Sequence, residues 1–327
     1  MPVHLKTGVV LHKRYKIDRI IGQGGKGCIY LAQDLRLAGR NCAVKEVEHD
    51  HSLAAEILKE TREQFHQEAT ILARLDHPNL PKVSDFFSIL DNDYLVMDYV
   101  PGEDLRTLMI KASQDNKFLP EKEVLDWAGQ LADALVYLHS QDPIILHRDI
   151  KPSNMKLTPS GLLKLVDFGL ARTLAPGEVT ITILQGQGTA QYTPLEQYGG
   201  DAGHTDPRSD VFAFAATLYH LLTNQPPANV RDRFLDPKSL VSPRQFNPSI
   251  SPRTERAIMW GLELHPDDRP KSVQAFLKSF LEDTAPLTNG FSTNRIHKLM
   301  QPLETTLAAI AGGLALIGLI LTLIRNL

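Results

Sequence analysis

His147-Arg148-Asp149-Ile150-Lys151-Pro152-Ser153-Asn154, followed a short way on by Asp167-Phe168-Gly169, is the stretch on which the reading of this chain turns. A carboxylate, an amine and a carboxamide in one short run, with a second carboxylate downstream, can hold a phosphoryl group, a divalent metal and an attacking hydroxyl together. Taken singly, either aspartate could be a turn or capping residue; the combination is what points to chemistry.

Two upstream motifs can be set beside this run. Gly22-Gln23-Gly24-Gly25-Lys26-Gly27 fits a glycine pattern shared by dinucleotide folds and by loops that cover phosphates. A dinucleotide site needs its glycines to open a helix, yet residues 28–32 are β-like, and the Lys-Ser/Thr ending of a Walker A loop is missing. A strand-loop-strand flap over a nucleotide remains, against the plainer reading of a glycine-rich hairpin with no ligand. In Ala43-Val44-Lys45 a lysine sits inside an apolar strand, which is costly unless its ammonium meets anions. Glu68 on the next helix is a suitable partner; it could instead belong to a solvated face with Glu60, Arg62 and Glu63.

The chain has 327 residues, 43% of them hydrophobic and 22% charged, which is globular material sufficient for one bilobal domain. A formal net charge of -3 gives no basic excess, so nucleic acid is not expected as a partner. Cys28 and Cys42 show no metal-ligand spacing and fit small buried strand residues in a reducing compartment. The first residues lack an apolar h-region, so no secretory signal is expected and the folded part should remain cytoplasmic.

Short β-rich runs at 15–21, 28–32 and 41–45 predict an antiparallel meander, and 86–89 with 94–97 add two strands joined by a turn at Asp91-Asn92-Asp93. Helical spacing over 53–75 predicts one helix across this five-stranded sheet, ended by Asp76-His77-Pro78-Asn79. After Pro101-Gly102 the pattern becomes helical, with helices expected at 124–139, 210–222, 253–264 and 272–281. Residues 283–302 read as a juxtamembrane linker. From Leu307 to Ile324 the residues are apolar or small, apart from the hydroxyl of Thr322. As a helix this stretch reaches about 27 to 30 Å, the thickness of a bilayer core, and predicts a single membrane span over 303–325. Arg295 and Lys298 favour a cytoplasmic N-terminal side.

With Pro194-Leu195-Glu196, Asp210 and Arg269 following in order, the chain closely resembles the eukaryotic-like (Hanks-type) protein kinases over 15–281, and specifically the bacterial membrane-anchored serine/threonine kinases. The resemblance implies an α+β, bilobal fold with a small antiparallel β lobe and a larger helical lobe. The domain would run over 15–282, with lobes at about 15–100 and 101–282, between an N-terminal segment 1–14 and the linker. It implies an ATP- and magnesium- (or manganese-) dependent transfer to serine or threonine hydroxyls of protein substrates.

In that resemblance Asp149 accepts or orients the substrate proton, Lys151 offsets charge on the transferring group, and Asn154 and Asp167 supply oxygen ligands to the metal. Lys45, held by Glu68, points at the nucleotide phosphates. Ile21, Gly22, Gly24, Gly27, Ile29 and Ala43 line the nucleotide site with Met97, Asp98 and Val100, and Asp104 meets the ribose. Arg148 pairs with a phosphate on the activation segment, where Thr180 and Thr182 are the favoured acceptors, while Thr189 bonds Asp149 and Lys151. Glu196 with Arg269, and Asp210, brace the structure. The resemblance also raises a homodimer through the first lobe.

Three departures stand out: proline is displaced in Pro194-Leu195-Glu196, Ala215 replaces a usual glycine, and only Arg325, Asn326 and Leu327 follow the span, so no extracellular sensor is expected. The alternatives are a membrane-tethered pseudokinase scaffold and a kinase-fold enzyme acting on a small molecule. The first is disfavoured by the presence of Lys45, Asp149, Asn154 and Asp167, the second by Arg148 and the threonine-bearing segment.

Overall fold

The computed structural model describes residues 4–24, 27–47, 49, 54–90, 92–167, 190–198 and 205–282. Thr180, Thr182, Thr189, Phe168, Gly169, the linker and the expected membrane span lie outside them. Among the described residues no helix is long and apolar enough to cross a membrane.

The first lobe is an antiparallel sheet of strands β1 (Val10–Leu11), β2 (Tyr15–Gly24), β3 (Gly27–Asp34), β4 (Asn41–Val47), β5 (Val83–Ile89) and β6 (Asn92–Asp98), in the order β1-β2-β3-β4-β6-β5. The expected five strands are thus joined by a sixth. Residues before Tyr15 enter the sheet through paired main-chain bonds, Gly8 N to Ile17 O and Ile17 N to Val9 O, both 2.8 Å. A two-residue strand has no readable alternation, which is why sequence pattern passes over it.

Successive strand residues point to opposite faces, and here both faces are covered. Cys42 and Val44 join Tyr15, Tyr30 and Val96 in one apolar cluster on the outer face. Ala43 and Val47 join Leu95 and Met97 in the main core. Helix α1 (Ala55–Arg74) lies on that inner side and buries Phe65, Ala69 and Leu72, spaced by one helical turn or nearly so. In the β2–β3 hairpin Gly27 has φ +131 and the Glu46 carbonyl oxygen occupies the place a Cβ would take. Only glycine can stand there.

The second lobe is built on α2 (Leu105–Gln114), α3 (Glu121–His139), α4 (Pro207–Thr223), α5 (Val230–Leu235), α6 (Pro243–Phe246), α7 (Pro252–Gly261) and α8 (Val273–Leu281). α4 is buried nearly all round, from Ser209 to Tyr219 without a break, so the other helices pack about it. Its start is defined by Asp206, which accepts the Arg208 amide at 2.8 Å, and by Pro207 in the first turn. The lobe also holds a small sheet the helical expectation omits: β7 (Glu103–Asp104), β8 (Met155–Leu157) and β9 (Leu163–Leu165), in that order. That sheet fixes the run quoted at the outset.

Candidate active site

Residues 147–154 leave α3 and reach β8 as a loop whose last turn, Pro152–Asn154, is a short 3-10 helix. The loop is pinned at its start by Asp210 in the first turn of α4. That carboxylate is fully buried and accepts from the His147 amide (2.9 Å), the Arg148 amide (2.8 Å) and His139 Nε2 (2.9 Å). Burial pushes the Asp210 carboxyl up, but these donors and the nearby histidines outweigh it and leave it below the usual carboxylate value. His147 itself is 1% exposed, and burial lowers its pKa, so the ring is neutral at pH 7. Arg148 holds a left-handed backbone, φ 63.

The loop then brings three of the expected groups together. Lys151 Nζ donates to both Asp149 carboxylate oxygens at 2.8 Å. Asn154 Nδ2 donates to Asp149 Oδ2 at 2.9 Å and to its carbonyl at 2.8 Å. The Asn154 carbonyl accepts the Val166 amide at 2.8 Å, and Met155 pairs with Leu165 across β8 and β9. This register delivers Asp167, directly after Val166, beside the loop. Asp167 is also left-handed, φ 59. Burial raises its carboxyl, and the ammonium of Lys45, with Lys151 behind it, outweighs burial and leaves the carboxyl lowered and ionised.

Lys45 on β4 makes its ion pair with Asp167. The expected Lys45–Glu68 pair is not among the ion pairs of the described residues. Glu68 is buried on the inner face of α1, 5% exposed, and accepts from Gln64 Nε2 one turn earlier at 3.1 Å. A part-buried ammonium takes the carboxylate that the strand register puts before it, and that is the one at the end of β9. Lys45 stands opposite Ile29 in the β3–β4 ladder, and Gly22 opposite Ile29 in the β2–β3 ladder, so the glycine hairpin and Lys45 flank one cleft wall. Ile21 is 38% exposed on that hairpin. Gly24 pairs with Gly27 at its tip.

Farther along the same sheet Ala43 and Met97 are register partners, 7% and 6% exposed. Asp98 accepts from Arg40 Nη2 at 2.9 Å and from the Lys82 amide at 3.2 Å, and Val100 is 7% exposed. Asp104, expected at the ribose, caps α2: it accepts the Thr107 amide at 2.9 Å and the Thr107 hydroxyl at 3.0 Å. Glu196 and Arg269 form a buried pair at 2.6 and 3.0 Å, with Ser209 Oγ donating to Glu196 at 2.8 Å.

Sequence reasoning passed over several participants. Arg148 Nη2 donates to Thr205 Oγ1 at 2.7 Å, a contact between residues 57 apart that no local pattern signals. Lys156 faces Asp104 across β7–β8, and its ammonium lies 5.7 Å from the Tyr99 ring centre. Tyr192 OH and His220 Nδ1 meet at 2.5 Å, tying the segment before Glu196 to α4. Each joins residues far apart in the chain.

The protein kinase domain family model matches residues 15–282. A probable serine/threonine-protein kinase of Streptomyces coelicolor is 35% identical over 276 residues, 80% of this chain and 38% of that protein. The serine/threonine-protein kinase PknA of Mycobacterium tuberculosis is 35% identical over 228 residues, 68% of this chain and 49% of PknA. PrkC of Bacillus subtilis, a serine/threonine-protein kinase, is 31% identical over 293 residues, 87% of this chain and 42% of PrkC. The chain thus spans less than half the length of these relatives. The solved kinase domain of Mycobacterium tuberculosis PknI aligns with a TM-score of 0.64 at 29% identity, covering 86% of this chain and 100% of that one. The bilobal architecture, the loop between α3 and β8 and these likenesses together place the chain in the protein kinase family.

Proposed function

We propose that this chain is an ATP-dependent protein serine/threonine kinase. The observation that carries the reading is the Asp149–Lys151–Asn154 cluster, with Asp167 delivered beside it by the β8–β9 register. Asp149 is held by Lys151 and Asn154 so that its carboxylate can take the proton of an incoming hydroxyl. Lys151, two residues on, presents positive charge next to that carboxylate. Lys45 presents a second cation at Asp167.

The donor set fits magnesium or manganese. Asn154 turns its Nδ2 to Asp149, leaving a carboxamide oxygen, and Asp167 is an ionised carboxylate; both are hard oxygen ligands. These two residues would hold the metal. When bound, the metal and ATP supply charge neutralisation and the γ-phosphoryl group.

Protein hydroxyls as substrates, control through Arg148 with Thr180 and Thr182, a supporting role for Thr189 and a homodimer belong to the same proposal, supported by the resemblance. So does a single-pass anchor over 303–325 with the kinase domain cytoplasmic, supported by the apolar run from Leu307 to Ile324.

The test is phosphate incorporation from labelled ATP with magnesium by the full chain, on itself and on a generic protein substrate. Asp149→Asn and Lys45→Met should each lower the rate by about 10²-fold or more, the scale of a lost positioned base. Equal incorporation by all three proteins would defeat the reading.

A further inference from the structure

The start of α4 grips the loop before β8 at more than one point. Asp210 takes the main-chain amides of His147 and Arg148. Thr205 takes the side chain: Arg148 Nη2 donates to its hydroxyl at 2.7 Å. Thr205 is 7% exposed, so the bond lies in a water-poor place where a charge-assisted hydrogen bond is strong. It immediately precedes Asp206, whose carboxylate is committed to the Arg208 amide and guanidinium, with Nε at 2.9 Å and Nη2 at 2.6 Å. That commitment leaves the Thr205 hydroxyl as the group at this helix start which meets Arg148.

Arg148 needs such a hold. Its left-handed backbone, φ 63, is disfavoured for a residue with a Cβ and persists only where the surroundings fix it. Asp149 follows directly, so any relaxation at Arg148 swings the carboxylate that Lys151 and Asn154 position. We infer that Thr205 is a positioning residue for Asp149, its hydroxyl locking the Arg148 side chain to the same rigid helix start that holds the Arg148 amide. This inference rests on the kinase reading for its effect on turnover, though not for its effect on the loop. It adds the start of α4 to what holds the Arg148 side chain.

The experiment compares the full chain with Thr205→Val, which keeps shape and removes the hydroxyl, and Thr205→Ser, which keeps the hydroxyl. With ATP, magnesium and a generic protein substrate, Thr205→Val should lower kcat about tenfold, the scale of one lost charge-assisted bond, with KM for ATP within about twofold. Thr205→Ser should restore kcat. In an Arg148→Met background Thr205→Val should add little, because the bond is already gone. Hydrogen exchange at the Arg148 and Asp149 amides should quicken in Thr205→Val and return in Thr205→Ser. That readout needs no turnover, so a wild type that transfers no phosphate counts against the kinase reading alone. Unchanged exchange in Thr205→Val, or an undiminished kcat loss in the Arg148→Met background, would overturn the proposal.

Discussion

Ala215 stands where kinases resembling this chain usually carry glycine, and α7 makes room for its methyl by presenting Gly261. A Cβ on Gly261 would lie 2.6 Å from the Ala215 Cβ and 2.8 Å from Phe276 Cε2, both on fully buried residues. Gly261→Ala should therefore cost about 1–3 kcal/mol by overpacking, more than the helix-propensity gain of alanine returns. The check is the urea midpoint at constant m-value, and an unmoved midpoint would show that α7 shifts freely. Such pairings were beyond sequence reading. The residue types of Lys45, Asp149, Lys151, Asn154 and Asp167 were legible because each carries its chemistry with it. The partner of Lys45 was not: α1 offers Glu68 at short range, and only the folded register brings in Asp167, 122 residues away.

Longer elements were legible for a related reason. Residues 124–139 and 210–222 show the period of a buried helix, and α3 and α4 span them with a turn or less added at their ends. The strands β7 to β9, of two or three residues each, were not, because alternation cannot be read over so few positions. Yet these strands place Asn154 beside Asp167. The junction of α4 with the short helix at Ala190–Tyr192 was equally hidden, and it titrates. Burial, and then the charge of Arg106, lower the His220 pKa from 6.5 to about 4. Between those values the unfolded chain binds a proton that the folded chain refuses, so stability is full above pH 6.5 and falls as pH drops toward 4. The loss sums to about 3 kcal/mol for this group. Buried His147, also lowered, acts in the same direction, so the contribution is read as a difference. His220→Asn, which offers Tyr192 an amide oxygen, should flatten the stability–pH slope in that window. A slope equal to wild type would mean the ring is protonated in the fold as readily as outside it.

One apolar cluster runs from Ala43 and Val47 in the sheet through Phe65 and Leu72 on α1 to Phe214, Phe276 and Phe280 in the helical lobe. The lobes share a core, and the catalytic run lies where they meet, with Ile150 wholly buried in it. The last described helix of this unit, α8, ends at Leu281. The run from Leu307 to Ile324, about 18 apolar or small residues, has the length of a hydrocarbon core, and the span we propose for it is testable apart from the folded lobes. Removing 303–327 should leave kinase turnover and thermal stability of the folded unit unchanged. It should also shift the protein from the floating to the soluble fraction when it is made with lipid vesicles. Arg295 and Lys298 sharpen the test, since a cationic flank on the kinase side predicts that protease added to the cytoplasmic face digests the kinase domain. Flotation that survives the truncation would place membrane attachment on the folded lobes, and protection from cytoplasmic protease would reverse the orientation.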